Sequence, residues 1–194
     1  MIKLFSTLLF SLAIVLSYAQ TLNFNLFLFG KEIGKTTVNR TFGENGIIIY
    51  TLKTDSRVKA FGVDRFTKGQ ALIKFQKGEL LSSYYLNETN EEGKTESFTN
   101  KIDGGYSFKS GLKEFCIRRI IKRGSISLYF EEPNTTNEYF SERLGSFFKF
   151  ENVAESTYRT KVNSVTATYK YINGKLVELE MAKTLGSVYM RIAN

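Results

Sequence analysis

The chain has 194 residues, with 27 Lys and Arg against 19 Asp and Glu for a formal charge of +8, one cysteine, one proline, and neither histidine nor tryptophan. Without histidine there is no imidazole base for Ser/His/Asp or Cys/His hydrolysis, and the usual nitrogen ligands of catalytic zinc are missing. One thiol allows neither an internal disulfide nor a thiolate metal site, so no metal or cofactor is expected.

Met1-Ile2-Lys3 gives a positive start, and "LFSTLLFSLAIVL" is an apolar run too short to span a bilayer well. Ser17 and Ala19 then stand as small residues three and one before Gln20. The pattern predicts a secretory signal peptide over 1–19, cleaved near Ala19–Gln20. Residues 20–194 are expected to fold as one exported domain, secreted or periplasmic, with no stable membrane anchor after cleavage. Absence of a disulfide points to a bacterial periplasm or exterior. The basic residues are scattered, and the one dense stretch, "IRRIIKR", is interrupted by isoleucines. Nucleic acid is not expected as a partner.

From Leu22 the chain reads as strand, turn, strand. "LNFNLFLFG" sets Leu22, Phe24, Leu26 and Leu28 on one face, and "GENG" (43–46) is a hairpin signal. "IIIYTLKTDSRVKAFG" alternates Tyr50, Leu52, Thr54, Ser56, Val58 and Ala60 with Lys53, Asp55, Arg57 and Lys59, as a strand wet on one side does. Further turns fall at Lys77-Gly78, Glu92-Gly93 and Gly104-Gly105.

In "SGLKEFCIRRIIKRG" the period changes. Leu112, Phe115, Cys116 and Ile120 recur at intervals of three and four, Lys122 and Arg123 fall in the last turn, and Gly124 follows as a stop. This predicts the one α-helix of the mature chain, with Cys116 on its buried stripe; a strand is the alternative, given the isoleucines. Strands are expected again from "SISLYF" onward. Near the end, the turn at Asn173-Gly174 leads to Val177, Leu179 and Met181, which alternate with glutamates.

Many antiparallel strands and one helix give a mainly β fold: a strongly curved antiparallel sheet, as a half-barrel or incompletely closed barrel cupping one α-helix. A two-sheet sandwich is the second choice.

The remaining catalytic option is a pair of carboxylates. Glu131, Glu132, Glu138 and Glu142 lie together, but "EEPNTTNE" has the composition of an exposed turn, where acids keep ordinary behaviour. No catalytic residue is assigned, and the protein is expected not to be an enzyme. Glu142 is the acid singled out, because "SERLG" adjoins the aromatic run "FFKF". A structural salt bridge, to Arg143 or to an arginine of the helix, is its expected role ahead of ligand binding.

Leu128-Tyr129-Phe130 with Glu132-Pro133, Ser141-Glu142 with Gly145, Tyr158, and the stretch from Tyr169 to Gly174 form a series of short motifs, with an early "GKEIG" at Gly30 to Gly34. The series resembles uncharacterised secreted bacterial proteins grouped only as a domain of unknown function. Such families look similar to the half-barrel of periplasmic lipoprotein carriers. The resemblance implies an apolar cavity and brings no catalytic residues with it.

The leading expectation is therefore a non-enzymatic exported protein that carries a hydrophobic or lipid-like ligand in the sheet's concavity, lined by Phe115, Tyr169, Val177, Leu179 and Met181, with Glu142 as the polar candidate. The alternative is a cell-envelope interaction or structural module whose core is filled and whose partner belongs to the envelope.

Overall fold

The structure, a computed structural model, describes residues 18–60, 63–183 and 186–193. Of the expected signal peptide, only Tyr18 and Ala19 fall among these residues.

A first meander comprises β1 (Ala19–Leu28), β2 (Lys31–Phe42), β3 (Ile47–Ala60), β4 (Val63–Gln76), β5 (Glu79–Thr89), β6 (Gly93–Ile102), β7 (Gly105–Ser110) and β8 (Lys113–Ile117). A small hairpin follows, β9 (Tyr139–Ser141) and β10 (Ser146–Phe148). A second meander, β11 (Glu151–Ala154), β12 (Thr157–Val162), β13 (Val165–Ile172), β14 (Lys175–Lys183) and β15 (Gly186–Ile192), ends the chain. The two meanders make one 13-stranded antiparallel sheet in the order β11-β12-β13-β14-β15-β1-β2-β3-β4-β5-β6-β7-β8. They join where β1 meets β15, with Leu26 opposite Met190. β8 and β11 stay as edges, so the sheet does not close.

The alternation read from sequence has a direct counterpart. On β3, Tyr50 and Leu52 are buried while Lys53, Asp55, Arg57 and Lys59 are exposed. On β1, Phe24 and Leu26 face the core. One inner face thus collects Phe24, Val38, Tyr50, Ile73, Leu80, Tyr106, Phe108, Leu176 and Met190 into a single hydrophobic cluster.

Among the described residues no α-helix covers that face, which corrects the expectation for Leu112–Arg123. Lys113–Ile117 is the edge strand β8, entered from β7 through a hairpin in which Gly111 takes a φ of +57°. Of the supposed apolar stripe, Leu112, Phe115, Cys116 and Ile120 are all exposed, while Ile117 and Ile121 are buried. Cross-strand pairing explains the outcome: Phe115 stands opposite Phe108, their ring centroids 5.0 Å apart, and Ile117 stands opposite Tyr106. β-branched isoleucines also disfavour the helix. "SISLYF" differs too, since Ser125–Tyr129 forms a short 3-10 turn instead of a strand.

What fills the concavity is the irregular chain of residues 118–150. Ile121, Ile126 and Phe140 join the sheet's cluster, and Leu128, Tyr139, Phe148 and Phe150 form a second one. The segment also shows that the sheet curls. The Tyr171 hydroxyl on β13 donates to the Leu128 carbonyl at 2.7 Å, and the Ile121 amide donates to the Tyr106 hydroxyl on β7 at 3.4 Å. These strands stand nine positions apart in the sheet, ~43 Å if it lay flat. Seven residues of chain reach ~25 Å at most. The sheet must bend around its plug for both bonds to form.

Candidate ligand-binding cavity

The acidic stretch is taken apart by the fold. Glu131 pairs with Arg40 at 2.7 Å, Glu132 accepts from the Tyr158 hydroxyl at 2.8 Å, and Glu138 pairs with Arg119. Each of these acids ties the plug to itself or to a strand, and the Arg119 guanidinium lies over the Phe147 ring.

Glu142 differs, being 2% exposed. Its carboxylate accepts from the Ser125 hydroxyl, from the Ser125 amide at 3.1 Å and from the Ile126 amide at 3.4 Å. Its own carbonyl accepts from the Ser97 hydroxyl of β6 at 2.9 Å. The salt bridge expected for Glu142 gives way to these contacts: its side-chain partners are a hydroxyl and two amides, not Arg143. Burial pushes the carboxyl above the usual carboxylate range, while the Ser125 hydroxyl and the two amides oppose the shift.

Gly124 makes room for this arrangement. A Cβ built there would lie 2.0 Å from Glu142 Oε1. The backbone at Gly124 is ordinary and extended, so glycine serves for its lack of side chain rather than for its torsional freedom.

The plug does not fill the whole bend. A cavity of about 440 Å³ remains between it and the sheet, within the size range of small-molecule sites. One wall is apolar, made by Leu26, Leu52, Leu179, Met181, Val188 and Met190. Across from it stand Tyr85, Asn87 and Arg143, and the rim reaches the turn after β5, where Arg65 and Glu91 form an ion pair at 2.5 Å. Tyr129, whose hydroxyl is held neutral by burial, contributes from the plug. Gly69 belongs to the lining as well. It stands opposite Thr54 and Asn87 on a buried stretch of β4, and its missing side chain leaves part of this space open.

Of the residues expected to line a cavity, Leu179 and Met181 do so. Tyr169 is cross-strand to Leu179 but packs at a right angle on Phe150 of the plug, centroids 5.2 Å apart, and is not in the cavity lining. Phe115 is exposed at the β8 edge, away from the cavity. Val177 is the extra residue of a bulge between β13 and β14, where Lys170 faces Glu178 and Tyr171 faces Leu176. The bulge breaks strict alternation, and the fully buried Leu176 takes the inner position instead. Glu142 is buried within the plug, bonded to Ser125 and Ile126, rather than in the cavity lining.

Asn87 and Arg143 were missed by sequence reasoning. Nothing in the sequence marks Asn87 as facing a cavity, and Arg143 entered only as a possible salt-bridge partner of Glu142. Among the described residues, no group of three Asp, Glu or Cys side chains is placed to hold a metal ion.

A family model described as Domain of unknown function (DUF6134) matches residues 24–193. No match is found among curated proteins. Among solved structures, the chain is similar to the crystal structure of a beta-barrel-like protein of domain of unknown function DUF1849 from Brucella abortus, at 12% identity and a TM-score of 0.58. That likeness covers 90% of this chain and 95% of the other. At such low identity the likeness shows the fold alone.

Proposed function

The chain belongs to the family of domain of unknown function DUF6134, and we propose that it is an exported, non-enzymatic protein holding a hydrophobic or lipid-like ligand in the bend of its sheet. The supporting observation is the cavity itself. Leucine, valine and methionine from three adjacent strands, β14, β15 and β1, form one continuous wall of it. Methionine side chains there suit an occupant of variable shape, because they repack at little cost. An apolar wall facing a few polar groups is how chain amphiphiles are held and oriented.

The experiment is extraction of the purified protein followed by mass spectrometry of what co-purifies. A near-stoichiometric amphiphile is expected, and it should fall sharply in a Gly69→Val variant, whose new side chain enters the cavity. A reproducibly empty interior, with no thermal stabilisation by any chain amphiphile, would leave the filled-core envelope module as the better reading.

A further inference from the structure

We propose that the occupant carries an anionic oxygen head group, a carboxylate or phosphate, read by Arg143 and Asn87. The inference rests on the cavity reading above and adds the polarity of the ligand to it.

Arg143 and Asn87 are lining side chains whose polar capacity no described residue uses. Arg143 lines the cavity with its guanidinium 6.0 Å from the Tyr85 ring, and among the described residues it makes no ion pair and no side-chain hydrogen bond. Most arginines of this protein are spent on carboxylates. Arg40, Arg57, Arg65, Arg119, Arg159 and Arg191 all have acidic partners. The nearest acid in sequence, Glu142, is committed to Ser125 and Ile126.

Asn87 is the second. It is 6% exposed and lines the same cavity two residues along β5 from Tyr85, yet its amide has no partner among the described residues. The amide is not among the buried polar atoms left without a partner, so it opens onto the cavity, where a ligand oxygen would take the place of water.

The third observation is Gly69, directly across the ladder from Asn87. A glycine inside a strand weakens it and commonly marks a place where another group comes close to the backbone. Here a side chain would meet Thr54 and the Tyr85 hydroxyl, at 3.4 to 3.8 Å from its Cβ, so the glycine leaves room beside Tyr85. Two charges at the rim cancel in the Arg65–Glu91 ion pair, and Glu92 is exposed on the turn where water screens it. Arg143, also exposed, lies beside Tyr85 and is the lining's cation that has no acidic partner among the described residues. An anion there gains a charge-assisted, two-pronged hydrogen bond, the geometry at which guanidinium excels.

The test uses four ligands with one tetradecyl chain and different heads: tetradecanoate, tetradecyl phosphate, methyl tetradecanoate and tetradecyltrimethylammonium. Each is titrated calorimetrically into the delipidated full chain and into the Arg143→Gln and Asn87→Val variants. Wild type should bind an anionic head at least about tenfold more tightly than the ester, the worth of a charged hydrogen bond. Arg143→Gln should abolish that preference while the ester's affinity is kept, and Asn87→Val should reduce it. Which of the two anions binds tighter tells a carboxylate ligand from a phosphate one. Equal affinity for all four heads would overturn the inference while the cavity reading stands. Failure of every head to bind wild type would sink the cavity reading, and this inference with it.

Discussion

Gly124 and Glu142 compete for one volume: a side-chain carbon on the glycine would sit 2.0 Å from the glutamate's Oε1 and 3.2 Å from the Phe75 ring. The pair couples the start of the 3-10 turn to the loop after β9. It lets the carboxylate reach the Ser125 and Ile126 amides without distortion.

Gly124→Ala should therefore destabilise the protein by ~1–3 kcal/mol, the cost of forced overpacking, despite being the mildest substitution available. Glu142→Ala alone is also costly, because it orphans two amides. The double variant should be less destabilised than the sum of the two, since the alanine methyl enters space the carboxylate has left. Strict additivity in urea denaturation would count against the shared volume.

Burial raises the Glu142 carboxyl above its ordinary range. The folded state then holds a proton that the unfolded state has released, and stability falls as pH rises from the ordinary carboxylate value through the raised one. The surface acids Asp64, Glu79, Glu96 and Glu138 are shifted downward by their cationic or hydrogen-bonding partners and titrate below this window. The buried tyrosines are shifted upward and titrate above it. Between about pH 5 and 8, a side chain of unperturbed carboxylate type has finished titrating. Melting temperatures of wild type should accordingly decline across that range relative to Glu142→Gln. Parallel profiles would show that Glu142 does not titrate there.

Gly69→Val should raise the stability of the ligand-free protein by about 1 kcal/mol, since a β-branched residue suits an inner strand position and glycine loses more entropy on folding. The nearest atoms to the new Cβ lie at 3.4 Å or more, ordinary contact, and the backbone needs no left-handed torsion. The same change should remove co-purifying amphiphile. Higher melting temperature with reduced binding is the signature; a destabilised variant would mean the space is already occupied by protein.

Tyr171→Phe should lower stability by ~1–1.5 kcal/mol, because its hydroxyl is what the Leu128 carbonyl receives in a buried setting. A lower urea midpoint with unchanged slope is expected, marking loss of one bond rather than of the plug's compactness.

Most of the sheet was legible in the sequence, because a strand with one wet face writes its orientation into every second residue. The turns at Lys77-Gly78 and Asn173-Gly174 lie where glycine and asparagine placed them, and the one expected at Gly104-Gly105 falls one residue earlier, at Asp103-Gly104. Three features were not legible. Leu112 to Arg123 carried a helical spacing, but Phe115 and Ile117 found cross-strand partners that no local pattern contains. The bulge at Val177 displaced the inner position by one residue, which alternation alone could not reveal. The plug has little regular structure at all, so its burial of Ile121, Leu128 and Phe140 follows from long-range packing rather than periodicity. The cavity's polar residues escaped for the same reason: Asn87 and Arg143 belong to one site only after the sheet has bent.

The pairing of β1 with β15 has a temporal consequence. β1 acquires its second neighbour only when β15 is present, so the seam waits for a strand that follows the first meander, the plug and most of the second meander. Bringing such distant segments together carries a loop-closure cost that every intermediate with a ragged centre must bear. Until that suture is made, β1 and β15 each present a row of unpaired backbone groups, an edge open to wrong partners.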